Sequence, residues 1–254
     1  MKFAVFLSSL LATAAAFAPS STSTPARSGS TALSAAKDDL KNIAEKANPK
    51  IKFYDPLNLA DKDFWGFGNE ATIGFLRHSE IKHGRIAMAA FVGYVVQSNF
   101  VFPWPQTLEG TPHPAASLGP EAQWDAIPLG AKWQIFFVIS MLELWDECGG
   151  GILPHYMKGR QPGKYPSFQL FRDNVHPVLD LYDPFGFNKD MDAETKERRL
   201  ISELNNGRLA MIGIFGFLTA DKIPGSVPLL MPIAKQYAGN PMIPFEGQFS
   251  YFGL

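Results

Sequence analysis

One cysteine, Cys148, is all that 254 residues contain, which excludes an internal disulfide framework and a thiolate metal cage. Net charge is also nearly absent: 23 Lys and Arg against 24 Asp and Glu leave −1, so nothing electrostatic argues for nucleic acid. Unbroken helical length is scarce, because 20 prolines and 22 glycines punctuate the chain. The mean hydropathy of −0.04 averages polar loops and a polar leader with apolar stretches, so it leaves room for short membrane spans. Aromatic side chains, by contrast, are plentiful, with 21 Phe and 5 Trp. A mass of 28.0 kDa suits one domain with a full core.

Residues 1–36 read as a leader outside the fold. Met1-Lys2 precedes the apolar run FAVFLSSLLATAAA, the pattern of a signal peptide over 1–16. Residues 17–36 are rich in Ser, Thr and Ala, carry Arg27 and contain no acid, which is transit-peptide chemistry. The AAA-FAP junction resembles the two-part leaders of plastid proteins in algae with secondary plastids. Secretion followed by a disordered linker is the alternative for this segment alone.

Three long helices are expected within 37–254. The first covers about 73–102, between the turn at Trp65–Asn69 and Pro103, and its last 17 residues carry no charge. The second covers about 129–148, from Pro128 at its start to the Gly149-Gly150-Gly151 stop. The third covers about 193–222, with Asp192 as N-cap and Pro224 beyond its end. Short amphipathic helices fill the remainder, one of them around Val227–Tyr237.

The chain repeats itself. A shift of 123 residues lays ELNNGRLAMIGIFGF, Glu203–Phe217, over EIKHGRIAMAAFVGY, Glu80–Tyr94. A similar turn precedes each copy: Asp55-Pro56-Leu57 and Asp183-Pro184-Phe185. The first and third helices therefore form a pseudo-two-fold pair, to which the second has no counterpart. Glu80 and Arg85 lie about 140° apart around their helix and do not face one another. Crossed about a two-fold, Glu80 reaches Arg208 and Glu203 reaches Arg85. Gly84, Ala87, Ala90 and Gly93, matched by Gly207, Ala210, Gly213 and Gly216, offer a small-residue stripe for close approach. A soluble bundle using Gly and Ala as filler would show some of the same stripe.

A Glu paired with Arg keeps one free carboxylate oxygen while its charge is neutralised. His83 adds an imidazole nitrogen one turn on, and Asn206 an amide oxygen at the equivalent place. Single, separate donors on an apolar helix suit a magnesium that already has four equatorial nitrogens, as in chlorophyll, and needs one hard axial ligand. Glu80-x-x-His83 is also the spacing of a ferritin-like di-iron oxidase. In the second copy, however, Asn206 replaces the His, and each Glu comes with an Arg.

EIKHGRIAM and ELNNGRLAM, separated by one helix and preceded by the Asp-Pro turns, resemble the light-harvesting chlorophyll-binding superfamily, of the fucoxanthin chlorophyll a/c type. The resemblance runs from Phe53 to about Ile223. It implies an all-α membrane protein with three transmembrane helices, a multi-pass location in the plastid thylakoid, and light harvesting without enzymatic chemistry. A photoprotective, quenching member is the alternative function within the same superfamily. The implied cofactors are chlorophyll a, chlorophyll c and fucoxanthin or related xanthophylls, with magnesium the sole metal. The implied partners are membrane lipid, other antenna subunits and a photosystem core, in an oligomer or supercomplex.

Residue by residue, the resemblance makes Glu80, His83, Glu203 and Asn206 axial ligands, and Arg85 and Arg208 the charge partners that lock the helices. Gln134 and Glu143 are ligand candidates on the second helix, half a turn out of alignment. The turns of Asp55, Pro56, Asp183 and Pro184 resemble the family's carotenoid-holding entries to the first and third helices. His155 is an additional ligand candidate; His78, His113 and His176 read as loop or cap residues. There are two departures. Ala220 stands where relatives carry Gln or His, so a pigment is absent there or Asp221 or water supplies the oxygen. Asp146 stands where several have Arg, which leaves the charge of Glu143 without an evident partner.

Overall fold

The computed structural model describes residues 29–176, 191–246 and 248, and those residues are helices and connections with no strand among them. The helices are α1 (Gly29–Ala47), α2 (Asn69–Asn99), α3 (Pro120–Ala126), α4 (Leu129–Glu147), α5 (Gln169–Asn174) and α6 (Ala193–Lys222). Most of the leader, and the Asp183-Pro184 turn, lie outside the described residues.

Within the last residues of the expected leader, helix begins at Gly29. Ala-rich sequence favours helix, and α1 continues to Ala47, where Asn48 and Pro49 end it. Lys46 pairs with Glu197 of α6, Lys37 reaches Asp61 at 2.6 Å, and Asn205 donates to the Ala47 carbonyl at 3.0 Å. α1 is thereby tied to the outer ends of the long helices.

The entry to α2 is built by acceptors on short side chains. Asp63 takes the amides of Gly66 and Gly68 at 2.8 and 2.9 Å, and Asn69 donates to the Ala60 carbonyl. The helix starts four residues before the expected Ile73 and leaves helical geometry at Phe100. There Phe100, Phe102 and Trp104 pack on one another, with centroids 5.5 and 4.2 Å apart, instead of extending the helix. α4 ends in Gly149-Gly150-Gly151, all at positive φ. A Cβ on Gly150 would sit 2.8 Å from Pro166 and 3.0 Å from Trp145, so this turn needs glycine on both counts. α6 is capped by Asp192, whose carboxylate accepts from the Thr195 amide at 2.9 Å.

α2 and α6 cross where Gly84 meets Gly207, each ideal Cβ position lying within 3.0 Å of the other residue's Cα. The small-residue stripe is used unevenly. Gly213 receives the Phe91 ring, whereas a Cβ on Gly93 or Gly216 would meet nothing within 4 Å. Close approach is therefore confined to one point, because the helices diverge on either side of it. α4 stands beside the pair and is tied to α2 by side chains at its C-terminal end.

Residues 227–237 do not form the expected amphipathic helix. After one 3-10 turn, Pro228–Leu230, the amides of Lys235 and Tyr237 bond to Asp221 of α6 at 3.0 and 2.9 Å. Those donors are withdrawn from any helical ladder, and Pro232 interrupts it further.

The distribution of polarity is inverted relative to a water-soluble bundle. Thr72, Lys132 and Asp146 are fully buried, whereas Trp133, Phe137, Met141 and Leu144 stand exposed along α4, as do Leu209, Ile212 and Phe215 on α6. Among the described residues no single helix is long and apolar enough to cross a membrane; the pair α3 and α4, bent by 108°, is so by length and composition. The reason lies in α2, where Glu80, Lys82 and Arg85 occupy the centre and only 14 residues follow before Phe100. Hydropathy counts each as a full charge.

A candidate pigment-binding site

The crossing carries two reciprocal ion pairs. Arg208 Nε donates to Glu80 Oε1 at 2.7 Å, and Arg85 Nε donates to Glu203 Oε1 at 2.5 Å. Each bond uses one carboxylate oxygen, and the other oxygen has no protein partner among the described residues. Arg85 also donates to the Gly163 carbonyl at 2.7 Å, fastening the loop after α4 to the crossing. In a bilayer an unpaired Arg costs about 2.5–3.5 kcal/mol on insertion scales. Pairing removes most of that cost while leaving an oxygen donor on each Glu.

The state of His83 follows from its neighbours. Its Nδ1 lies 2.8 Å from the Ser79 carbonyl, and a carbonyl only accepts, so Nδ1 carries the proton and Nε2 presents a bare lone pair. Such an outer hydrogen bond is the usual means of orienting a metal-ligating imidazole. Asn206 Nδ2 faces Ser202 Oγ at 3.4 Å, leaving Oδ1 without a protein partner. Ser79 and Ser202 obey the same 123-residue shift as His83 and Asn206, the side chains they orient. They are readable in the sequence once the repeat is extended by one residue.

His83 opens onto a cavity of about 820 Å³ between α2, α4 and α6. Ile86, Met211, Ile214 and Phe215 give it apolar walls, and Glu143 faces it from α4. This volume is within the range of organic cofactor sites. The donors bordering it are single hard atoms on separate helices, which fits one axial bond to a magnesium macrocycle. Among the described residues no three His, Cys, Asp or Glu side chains converge, so the di-iron arrangement, which gathers several at one point, is not built.

α4 holds the remaining candidates. Gln134 is exposed and makes no side-chain hydrogen bond. Lys82 pairs with Glu143, and its Nζ also lies 3.1 Å from Asp146 Oδ2. Asp146 is fully buried and further accepts from Arg160 at 2.9 Å and from His78 Nε2 at 2.9 Å. His78 Nδ1 in turn accepts the Gly163 amide at 3.1 Å. His78 is thus held in the tautomer opposite to that of His83, with neither nitrogen spare. His155 is engaged in the same way: Nδ1 accepts the Met157 amide at 3.2 Å and Nε2 donates to Glu147 at 2.8 Å. No nitrogen is left for a metal. Tyr156 donates to Glu147 at 3.0 Å, and burial with that carboxylate pushes its phenol well above the ordinary range.

Asp55 is likewise occupied by the backbone. Its two oxygens accept the Leu59 and Ala60 amides at 2.9 and 2.8 Å, and the Ala60 bond chiefly holds its carboxyl below the usual range. The Asp55-Pro56 turn therefore closes on itself before α2 begins.

A family model described as chlorophyll A-B binding protein matches residues 39–222. The chain belongs to that family. Among its relatives, the fucoxanthin-chlorophyll a-c binding protein F, chloroplastic, of Phaeodactylum tricornutum is 34% identical over 224 residues, covering 88% of this chain and 96% of the relative. The fucoxanthin-chlorophyll a-c binding protein, chloroplastic, of Trieres chinensis is 34% identical over 244 residues, covering 91% and 98%. Protein F of Macrocystis pyrifera, also named as chloroplastic, is 31% identical over 209 residues, covering 82% and 85%.

Within this chlorophyll A-B binding chain, position 220 lacks a donor of its own. Ala220 borders a second cavity of about 100 Å³, far smaller than the first. Asp221 does not line that cavity. It is buried and accepts the Lys235 amide, so it anchors the C-terminal segment. The one polar side chain at the cavity is Gln236, which donates to the Ala220 carbonyl at 3.2 Å.

Proposed function

We propose that this protein is a light-harvesting antenna of the thylakoid membrane that binds chlorophyll a, chlorophyll c and fucoxanthin-type carotenoid, with α2, α4 and α6 spanning the bilayer and a photosystem core as recipient. The observation that carries this reading is His83. Its Nδ1–H is held by the Ser79 carbonyl, which leaves Nε2 bare, and the imidazole stands at the wall of an apolar cavity of about 820 Å³. The names of the relatives, the exposed apolar flank of α4 and the spare oxygens at the crossing support the same reading.

Glu80, Glu203, Asn206 and Glu143 each offer one oxygen, His83 offers one nitrogen, and Gln134 offers an unengaged amide oxygen. Bound pigments supply light absorption and the passage of excitation to neighbours. The chain's own task is geometric. The Gly84–Gly207 contact and two ion pairs fix the angle of α2 against α6, so the donors on them keep constant separation and direction. Asp55 and Asp63 lock the turns leading into α2, and Asp192 caps α6. The apolar walls would keep water, a competing hard oxygen ligand, away from these donors when pigment is bound.

The test is refolding of the chain with purified chlorophylls and fucoxanthin, followed by pigment extraction and fluorescence excitation spectra. Emission from chlorophyll a on excitation of chlorophyll c and fucoxanthin is expected. A refolded chain that binds no pigment would contradict the reading. Replacement of His83 by Leu is expected to remove one chlorophyll with the helices retained.

A further inference from the structure

We propose that Lys82 is the interhelix charge partner that makes Glu143 competent as a pigment ligand, and that it fixes α4 against α2; this rests on the antenna reading above. The arrangement follows the logic of the two crossing pairs. In each of those, a cation from one helix takes one carboxylate oxygen of the facing helix and leaves the second oxygen free. Lys82, on α2, takes Oε2 of Glu143, on α4, and Glu143 Oε1 has no protein partner among the described residues. Lys82, His83 and Glu143 all border the same cavity, so the freed oxygen is available to what the cavity holds.

Asp146 shares Lys82 without depending on it. Its side chain is sealed from solvent and is already held by the Arg160 guanidinium at 2.9 Å and by His78 Nε2–H. His78 is neutral, because its Nδ1 accepts the Gly163 amide. The cluster therefore holds two carboxylates, Glu143 and Asp146, and two cations, Lys82 and Arg160. Arg160 answers Asp146 and Lys82 answers Glu143. The third contact, Lys82 to Asp146 at 3.1 Å, stitches the two pairs together without changing the balance. An Arg at position 146 would have neutralised Glu143 from its own helix. Here the cation comes from α2 and the position on α4 is acidic, so neutralisation has become a bond between helices.

The repeat makes the role specific to one side of the molecule. Under the 123-residue shift the counterpart of Lys82 is Asn205, which donates to the Ala47 carbonyl of α1 at 3.0 Å. α4 has no pseudo-two-fold mate, and the lysine is present only on the side where α4 stands.

The experiment compares chains refolded with chlorophyll a, chlorophyll c and fucoxanthin, reading chlorophyll per chain and visible circular dichroism, with far-ultraviolet circular dichroism as a check of helicity. K82M is expected to lose one chlorophyll relative to the unsubstituted chain and to change the visible spectrum; K82R is expected to keep both. The double variant K82M/E143Q restores neutrality, keeps an amide oxygen at position 143 and is expected to regain the chlorophyll that K82M lost. A merely structural lysine would not be rescued by removing a second polar contact. Full chlorophyll content in K82M, or failure of the double variant to regain it, overturns the proposal. If E143L loses a chlorophyll and K82M does not, the role of Lys82 falls while the antenna reading stands. If the unsubstituted chain refolds without chlorophyll, the antenna reading itself falls.

Discussion

Replacing Gly207 by Ala tests the crossing with a single methyl group. Its Cβ would lie 2.9 Å from the Cα of Gly84, backbone against backbone. Carbon atoms rest at about 3.5–4.0 Å, so α2 and α6 must part by roughly 0.6–1 Å. Alanine returns about 1 kcal/mol of helix propensity, and overpacking costs about 1–3 kcal/mol. The same separation stretches the Arg208–Glu80 bond from 2.7 Å and the Arg85–Glu203 bond from 2.5 Å. Each is a partly exposed pair, whose loss costs about 0.2–1 kcal/mol. The sum is a net loss of about 0.4–4 kcal/mol, or roughly 1–16 °C in Tm for a chain of this size. Gly216 is the control, since a methyl there meets no protein atom within 4 Å and the propensity gain should stand alone. Thermal loss of visible circular dichroism from the refolded pigment complex reads both. A Gly207→Ala complex at least as stable as the unsubstituted one would refute the close-crossing argument.

Arg208→Leu removes the partner of Glu80 and one lock of the crossing, so it is expected to reduce chlorophyll content by more than His83→Leu does; equal or undiminished content in both would sink the cross-pairing. His155→Gln and His78→Gln are expected to leave the number of chlorophylls unchanged, since neither imidazole has a nitrogen to spare; pigment extraction decides it. Asp55 gives a pH test. Its folded carboxyl titrates below the ordinary range through the Ala60 and Leu59 amides, so its contribution is present above the unfolded pKa of about 3.9 and is lost as pH falls through the lower folded value. Hydrogen exchange at those two amides should therefore quicken only in strong acid, and Asp55→Asn should abolish that dependence.

The internal repeat made the α2–α6 pair legible, because two copies of a Glu and an Arg that do not face each other within one helix have few other uses. Pro128, the three glycines and Asp192 marked the helix ends because each acts within its own turn. What depended on partners distant in sequence was not readable. Nothing local announces that Lys82 reaches α4 across 61 residues of chain, or that Asp221 draws the Lys235 and Tyr237 amides out of a helix. Residues 29–36, at the start of α1, are Ser- and Ala-rich, a composition that suits a transit peptide and a helix equally well. His155 looked available until Met157 and Glu147 were seen to occupy its two nitrogens, whereas Ser79 engages only one nitrogen of His83.

The most direct measurement is pigment extraction and chromatography on the native complex, together with its absorption spectrum and metal content. Chlorophyll a, chlorophyll c and fucoxanthin, with magnesium in proportion to chlorophyll, are the predicted result. A purified protein carrying iron and no chlorophyll absorption would contradict the account.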